Sequence, residues 1–313
     1  VTPTARSLAA LALLSLSACA DTAGRPLDVR KVARPEASAD RAWSYLTEQM
    51  SFGPRYAGTR GHRMQLVWMK DFLAFRADTV YEQTFPHTTK DGRQLGFSNV
   101  IARFNPAATE RVLLVAHWDT RPDADRALDP ADRRRPVPGA NDGASGTAVL
   151  LELAEQFRQQ RPTIGVDMLF TDGEDFGPGA EDMFLGARHY AANLPAGPRP
   201  RWAVVVDMVG DLDLRIPVEA NSQRAAPALV DRIWTAADAL GHAAHFPRTP
   251  GPAVTDDHLP LIEAGIPAVN LIDFEYGPGN AFWHSPEDLV KNVDAASLGV
   301  VADVLAAVVY AER

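Results

Sequence analysis

Four short runs with hardly a polar residue constrain this chain more than any other feature of its sequence. They are Arg111–Ala116 (RVLLVA), Val166–Thr171 (VDMLFT), Trp202–Val209 (WAVVVDMV) and Ile266–Ile272 (IPAVNLI). A strand with one wet face alternates polar and apolar residues, whereas a continuous apolar run needs cover on both faces. Stretches with helical spacing supply that cover: Ala144–Gln160 and Ala225–Leu240 between the runs, and Ala295–Ala311 at the end of the chain. Upstream, Asp40–Met50 and Thr59–Ala77 also read as helices, and Thr79–Phe85 and Ser98–Phe104 as strands. The alternation predicts an α/β fold, a three-layer sandwich with a mixed, largely parallel central sheet flanked by helices. No repeat and no second composition regime interrupts residues 39–313, which read as a single domain.

Composition narrows the partners. With 31 basic and 40 acidic side chains the formal net charge is −9, and Arg133-Arg134-Arg135 is the only basic cluster. Nucleic acid is a poor match for such a surface. The single cysteine excludes an internal disulfide framework and a Cys-rich metal site, so any metal must be held by His and carboxylates. That cysteine, Cys19, follows an apolar run from Leu8 to Leu16 and ends the sequence Leu16-Ser17-Ala18-Cys19. The run is too short to span a bilayer and has the dimensions of a secretory signal. Residues 1–18 are therefore expected to be a signal peptide, with Cys19 a lipid-bearing residue of the bacterial lipoprotein kind and 19–38 a tether. The implied location is a bacterial membrane, facing the periplasm or the cell exterior.

In open α/β sheets, function gathers beyond the carboxyl ends of the strands. Here RVLLVA runs into His117-Trp118-Asp119, VDMLFT into Asp172-Gly173-Glu174-Asp175, and WAVVV into Asp207-Met208-Val209-Gly210. IPAVNLI leads through a Gly-rich loop to Trp283-His284-Ser285-Pro286, and Gly139-Ala140-Asn141-Asp142-Gly143 precedes a helix. Each cluster has an ordinary reading alone: Asp142 as a helix cap, His117 as a structural histidine, Glu174-Asp175 as a solvated loop. Five on one edge suit a dication that accepts imidazole nitrogen and carboxylate oxygen, with one acid left to move protons.

The order His-x-Asp, Asn-Asp-Gly-x-Ser-Gly, Asp-Gly-Glu-Asp, Asp-Met-Val-Gly, Asp-Asp-His and Trp-His-Ser-Pro resembles the zinc aminopeptidase and glutaminyl cyclase superfamily over residues 40–313. The resemblance implies a zinc-dependent catalytic domain with Asp142, Asp175 and His284 as zinc ligands and Glu174 as general acid/base. In the aminopeptidase branch His117 and Asp207 hold a second zinc, with Asp142 bridging. In the cyclase branch one zinc is usual, and Asp207 and Asp256 form a hydrogen-bond network with the general base.

Three stretches are similar to bacterial lipoprotein-type glutaminyl cyclases: His117–Gly143, Gly186-Ala187-Arg188-His189-Tyr190 and Thr255-Asp256-Asp257-His258-Leu259-Pro260. Two features depart from the animal cyclases. The loop after Glu174-Asp175 holds Phe176, Met183 and Phe184 but no Trp, and Asn270 stands where those enzymes carry histidine. The implied activity is conversion of N-terminal glutamine of peptides to pyroglutamate with release of ammonia. The alternative is a two-zinc aminopeptidase. A catalytically silent family member or a solute-binding lipoprotein fits less well, since every metal-capable position is present and two lobes are not. Trp283 is the expected substrate contact, whereas no spacing rule assigns Arg121 or Asp125.

Overall fold

The computed structural model describes residues 29–312; the expected signal peptide and Cys19 lie outside the described residues. Two helices come first, α1 (Ala39–Ser51) and α2 (Arg60–Ala74), then a hairpin of β1 (Thr79–Thr88) and β2 (Gln94–Phe104). There follow β3 (Arg111–His117), α3 (Ala144–Gln159), β4 (Gly165–Thr171), α4 (Leu185–Ala192) and β5 (Pro200–Asp207). The chain ends with α5 (Ala220–Ala225), α6 (Pro227–Leu240), α7 (His258–Glu263), β6 (Ala268–Ile272) and α8 (Ala295–Ala311). Local chemistry starts several helices: the side chains of Ser38, Thr59 and Asp294 accept backbone N–H groups at the first turns of α1, α2 and α8.

The strands form one mixed sheet in the order β1-β2-β4-β3-β5-β6. β2 is antiparallel to β1 and β4, while β4, β3, β5 and β6 run parallel. The apolar runs divide between two cores as a pleated strand requires. Val112, Leu114 and Ala116 of β3 join Val204 and Val206 of β5 in the core under α1, α3 and α8. Leu113 and Val115 join Ala203 and Val205 on the other face, with Tyr190 of α4 and Leu261 of α7. This is the expected three-layer α/β sandwich. Its chain order reverses direction at β3, since β4 lies on one side of that strand and β5 on the other. A crevice at the carboxyl ends of β3 and β5 follows from that reversal.

Asp167, a charge inside an otherwise apolar strand, is accommodated by a buried ion pair. Arg111 Nη2 lies 2.5 Å from Asp167 Oδ1, both side chains are 1% exposed, and Arg103 Nε approaches the same oxygen at 3.2 Å. Removing one partner of a buried pair leaves the other charge uncompensated. Asp167→Ala is therefore expected to lower unfolding stability by about 3–5 kcal/mol, measured by denaturant titration. A change below 1 kcal/mol would show that the pair is not what holds this end of the sheet.

The structure departs from the sequence expectations in several places. The helix expected over Ala225–Leu240 begins two residues later, at Pro227, because Ala226 (φ −143°, ψ 53°) leaves helical geometry and separates it from the short α5. β5 ends at Asp207 because Met208 has φ +50°. β6 begins only at Ala268, after Pro267. The hairpin strands are longer than expected, and α4 and α7, six to eight residues each, carry too short a periodicity to be read. Residues 29–38, expected within the tether, pack on the domain instead: Val29 is buried, and Arg34 Nη2 meets Asp303 of α8 at 2.8 Å.

Candidate active site

His117 is the last residue of β3, and its buried ring points into the crevice. Nε2 lies 3.1 Å from both Asp142 Oδ1 and Asp207 Oδ1, while Nδ1 faces Asp119 Oδ1 at 3.4 Å and Glu174 Oε2 at 3.8 Å. Asp142 precedes α3 but does not cap it: the cap position is Gly143, and no side chain accepts an N–H there. The capping reading of Asp142 is thereby excluded. Gly143 is required by close approach, since a Cβ there would sit 2.4 Å from the His117 ring.

The loop after β4 brings Glu174 and Asp175 in together. Asp119 holds it, accepting the Glu174 N–H at 3.2 Å and the Asp175 N–H at 3.3 Å on its two oxygens. Phe184, in left-handed backbone geometry, donates its N–H to the Glu174 carbonyl at 2.8 Å. His284 arrives on the loop after β6, with φ +50°, a conformation that costs a non-glycine residue about 1–3 kcal/mol and is held only where surrounding contacts impose it. Its Nε2 is 3.2 Å from Asp175 Oδ1 and 3.5 Å from Asp142 Oδ2.

Two groups of buried side chains can each hold an ion: Asp142, Asp175 and His284, and, sharing Asp142, His117, Asp142 and Asp207. In each group the ligand atoms lie within 4.8 Å of one another. Asp175 Oδ2 is buried without a hydrogen-bond partner among the described residues, as befits an oxygen reserved for a cation. Two carboxylates and one imidazole suit a borderline dication.

Burial and crowding of like charge tune the acids that surround these groups. Burial, reinforced by Asp175, Asp256 and Asp257, holds Glu174 well above the ordinary carboxylate range, against the pull of His117. Burial, with Asp256 and Asp142, pushes Asp207 up to about 7 although His117 opposes it. For His284, burial disfavours the cation, but Asp175, Asp125 and Asp142 outweigh it and push the imidazole up to about 9.

Asp256 is buried at the same edge, yet its hydrogen bonds do not form the expected network with Glu174. They come from the Asp257 N–H at 2.5 Å and from Asn270 Nδ2 at 2.7 Å, so Asp256 acts on Glu174 through its charge. Asp207 is likewise bonded to His117. Trp283 stacks on His284 with ring centroids 3.9 Å apart, beside Phe274 at 5.0 Å. Tyr276 is fully buried and donates to Asp288, and Phe176 packs against Phe97, which makes both of them structural. Trp118 packs into the core flank and stacks on His62, itself paired with Asp172 at 2.9 Å.

Sequence reasoning gave no role to three residues that build the site. Asp288 accepts the N–H groups of Asn141 (2.7 Å) and Asp142 (3.2 Å). Arg55 is fully buried and donates to the carbonyls of Pro138 and Gly139, fixing the turn ahead of Asp142. Asp119 carried a signal, its place two residues after His117, but the other two lie far away in the chain with no motif.

Residues 99–309 match the model of peptidase family M28, about two-thirds of the chain. The chain belongs to peptidase family M28. It is similar to Tannerella forsythia glutaminyl cyclase, with 33% identity, a TM-score of 0.86, and coverage of 89% of this chain and 100% of that one. It is also similar to a Zn-dependent exopeptidase from Parabacteroides distasonis, at 35% identity and a TM-score of 0.85 over 89% of this chain and 99% of that one. The glutaminyl-peptide cyclotransferase of Bos taurus is 26% identical over 288 residues, covering 81% of this chain and 75% of that protein. The chain is thus an M28-family member similar both to glutaminyl cyclases and to a Zn-dependent exopeptidase.

Proposed function

We propose that the chain is a zinc-dependent glutaminyl-peptide cyclotransferase, an acyltransferase that converts the N-terminal glutamine of peptides to pyroglutamate and releases ammonia. The observation that carries the reading is the placement of Glu174, buried and held protonatable, beside the Asp142–Asp175–His284 group. Near-complete alignment with a bacterial glutaminyl cyclase supports it. One zinc ion held by Asp142, Asp175 and His284 supplies Lewis acidity toward a carbonyl oxygen.

The chain's own residues do the rest. The α-amine of the substrate attacks its γ-amide carbon; a C–N bond forms, the bond to the amide nitrogen breaks, and ammonia leaves. Glu174 takes the proton from the α-amine and returns it to the departing nitrogen, which suits a carboxyl raised toward neutrality. Burial and the charges of Asp175, Asp256 and Asp257 keep it there. Trp283 offers an aromatic wall for the substrate beside His284. Such a reaction needs no recruited water, because the nucleophile is already tethered to its target.

The His117–Asp142–Asp207 group and the exopeptidase neighbour favour a second reading, a two-zinc aminopeptidase. Offering a Gln-initiated and a Leu-initiated dipeptide together separates the two. The expected result is ammonia and pyroglutamyl peptide from the first with the Leu peptide intact. Rapid cleavage of the Leu peptide without ammonia from the Gln peptide installs the aminopeptidase. The sequence around Cys19 supports an exported protein, lipid-anchored to a bacterial membrane and facing the periplasm or cell exterior. Among the described residues no helix is long and apolar enough to cross a membrane.

A further inference from the structure

The segment between β3 and α3 places one arginine and one aspartate, four residues apart, against two different candidate ligands. We infer that Arg121 and Asp125 form a positioning bracket that presets Asp175 and His284 for the metal, an inference that rests on the zinc reading above.

One arm of the bracket is the guanidinium. Arg121 Nη1 donates to Asp175 Oδ1 at 2.5 Å, while Asp175 Oδ2 has no hydrogen-bond partner among the described residues. Arg121 therefore fixes the rotation of this carboxylate through Oδ1, the oxygen that His284 Nε2 also faces at 3.2 Å, and leaves Oδ2 without a protein donor among the described residues. The remaining edge of the same guanidinium, Nε and Nη2, forks onto the two oxygens of Asp125, both at 2.9 Å. Asp125 is the second arm: its Oδ1 lies 3.5 Å from His284 Nδ1. A carboxylate on the Nδ1 side favours the tautomer with the proton there, which leaves the Nε2 lone pair for metal. Nε2 is the nitrogen that faces Asp175 and Asp142.

The surroundings hold the bracket still. Arg121 is 5% exposed, and its carbonyl accepts the Val137 N–H at 3.0 Å, tying it to the far end of the segment. Gly177 has φ +46°, and a Cβ there would lie 2.6 Å from Arg121 Nη1, so the loop bearing Asp175 closes directly on the guanidinium. The Arg126 N–H donates to the His284 carbonyl at 3.2 Å, so the segment grips that ligand by its backbone as well. Lysine cannot reproduce this geometry, because a single ammonium lacks the planar fork that serves three oxygens at once.

The test measures zinc affinity of the full chain by competition with a chromophoric chelator, alongside kcat and KM for a Gln-initiated peptide. Asp125 is half-exposed, so Asp125→Ala spares the core, and matched near-ultraviolet circular dichroism of the metal-free proteins checks the fold. Asp125→Ala and Arg121→Lys are expected to weaken zinc binding by about 10–100-fold and to lower kcat more than they raise KM. Asp125→Asn, which retains an acceptor toward His284, is expected to recover part of the loss. Asp123→Ala, which removes a surface pairing with Arg134 on the same turn, is expected to bind zinc as the parent does. Parental affinity in both bracket variants, or an equal loss in Asp123→Ala, overturns the bracket and leaves the ligand assignment standing. A parent that holds no zinc overturns both.

Discussion

Glu174→Gln is expected to lower kcat by about a hundredfold or more while zinc content and fold stay at the parental level. The substitution is nearly isosteric and keeps a polar group in a buried position, so the loop held by Asp119 and Phe184 has no reason to move. What disappears is a group that can accept a proton and give it back. A hundredfold corresponds to about 2.7 kcal/mol of lost transition-state stabilisation, with the loss falling on kcat because the amide still fills the same space. The control is Asp175→Asn, which removes a candidate ligand's charge and is expected to lose zinc along with activity. Exchange of the two outcomes, with Glu174→Gln losing metal and Asp175→Asn losing only turnover, would show that the adjacent carboxylates have been assigned the wrong way round.

Replacing a ligand is the other change expected to be large. Asp142→Ala and His284→Ala should each reduce zinc affinity by more than the roughly 10–100-fold typical of groups that only support ligands. They differ in what they remove: Asp142 belongs to both ligand groups and His284 to one. If a second ion binds, His284→Ala retains it and Asp142→Ala does not, so metal analysis of the pair also counts the sites. Stability reports the same event. Bound metal stabilises the native state by about 2.7 kcal/mol when free metal is a hundredfold above Kd, so a chelator should lower the Tm of the parent by several degrees and leave that of Asp142→Ala unchanged. Parental zinc content in both variants would dispose of the proposed metal site.

The candidate ligands and the candidate proton carrier were legible because of where strands end. An apolar run followed at once by His or Asp places that side chain at the sheet's carboxyl edge, whatever the rest of the fold does. His117 and Asp207 needed nothing more than this. His284 was legible only through its motif, since eleven residues separate it from β6. Asp288, Arg55, Arg121 and Asp125 were not assigned, although each touches the backbone or side chain of a candidate ligand or the turn that carries it. Their contacts span 54 to 159 positions, apart from the fork between Arg121 and Asp125 themselves, and no local pattern encodes such distances.

What the sequence determined by itself is therefore periodic or covalent in origin: the buried parallel strands, the helices that cover them, and the strand-end positions of most of the reactive side chains. Burial on two faces demands continuous apolar runs, and the chain supplies them where the sheet forms. Only the tertiary structure decided how the acids divide their work. Asp256 turned out to influence Glu174 by charge and to spend its hydrogen bonds on Asn270 and the Asp257 N–H. Asp142 turned out to face two histidines and to cap nothing. Whether a carboxylate caps, pairs or waits for a metal depends on which donors reach it across the fold, and that is fixed by packing between segments far apart in the chain.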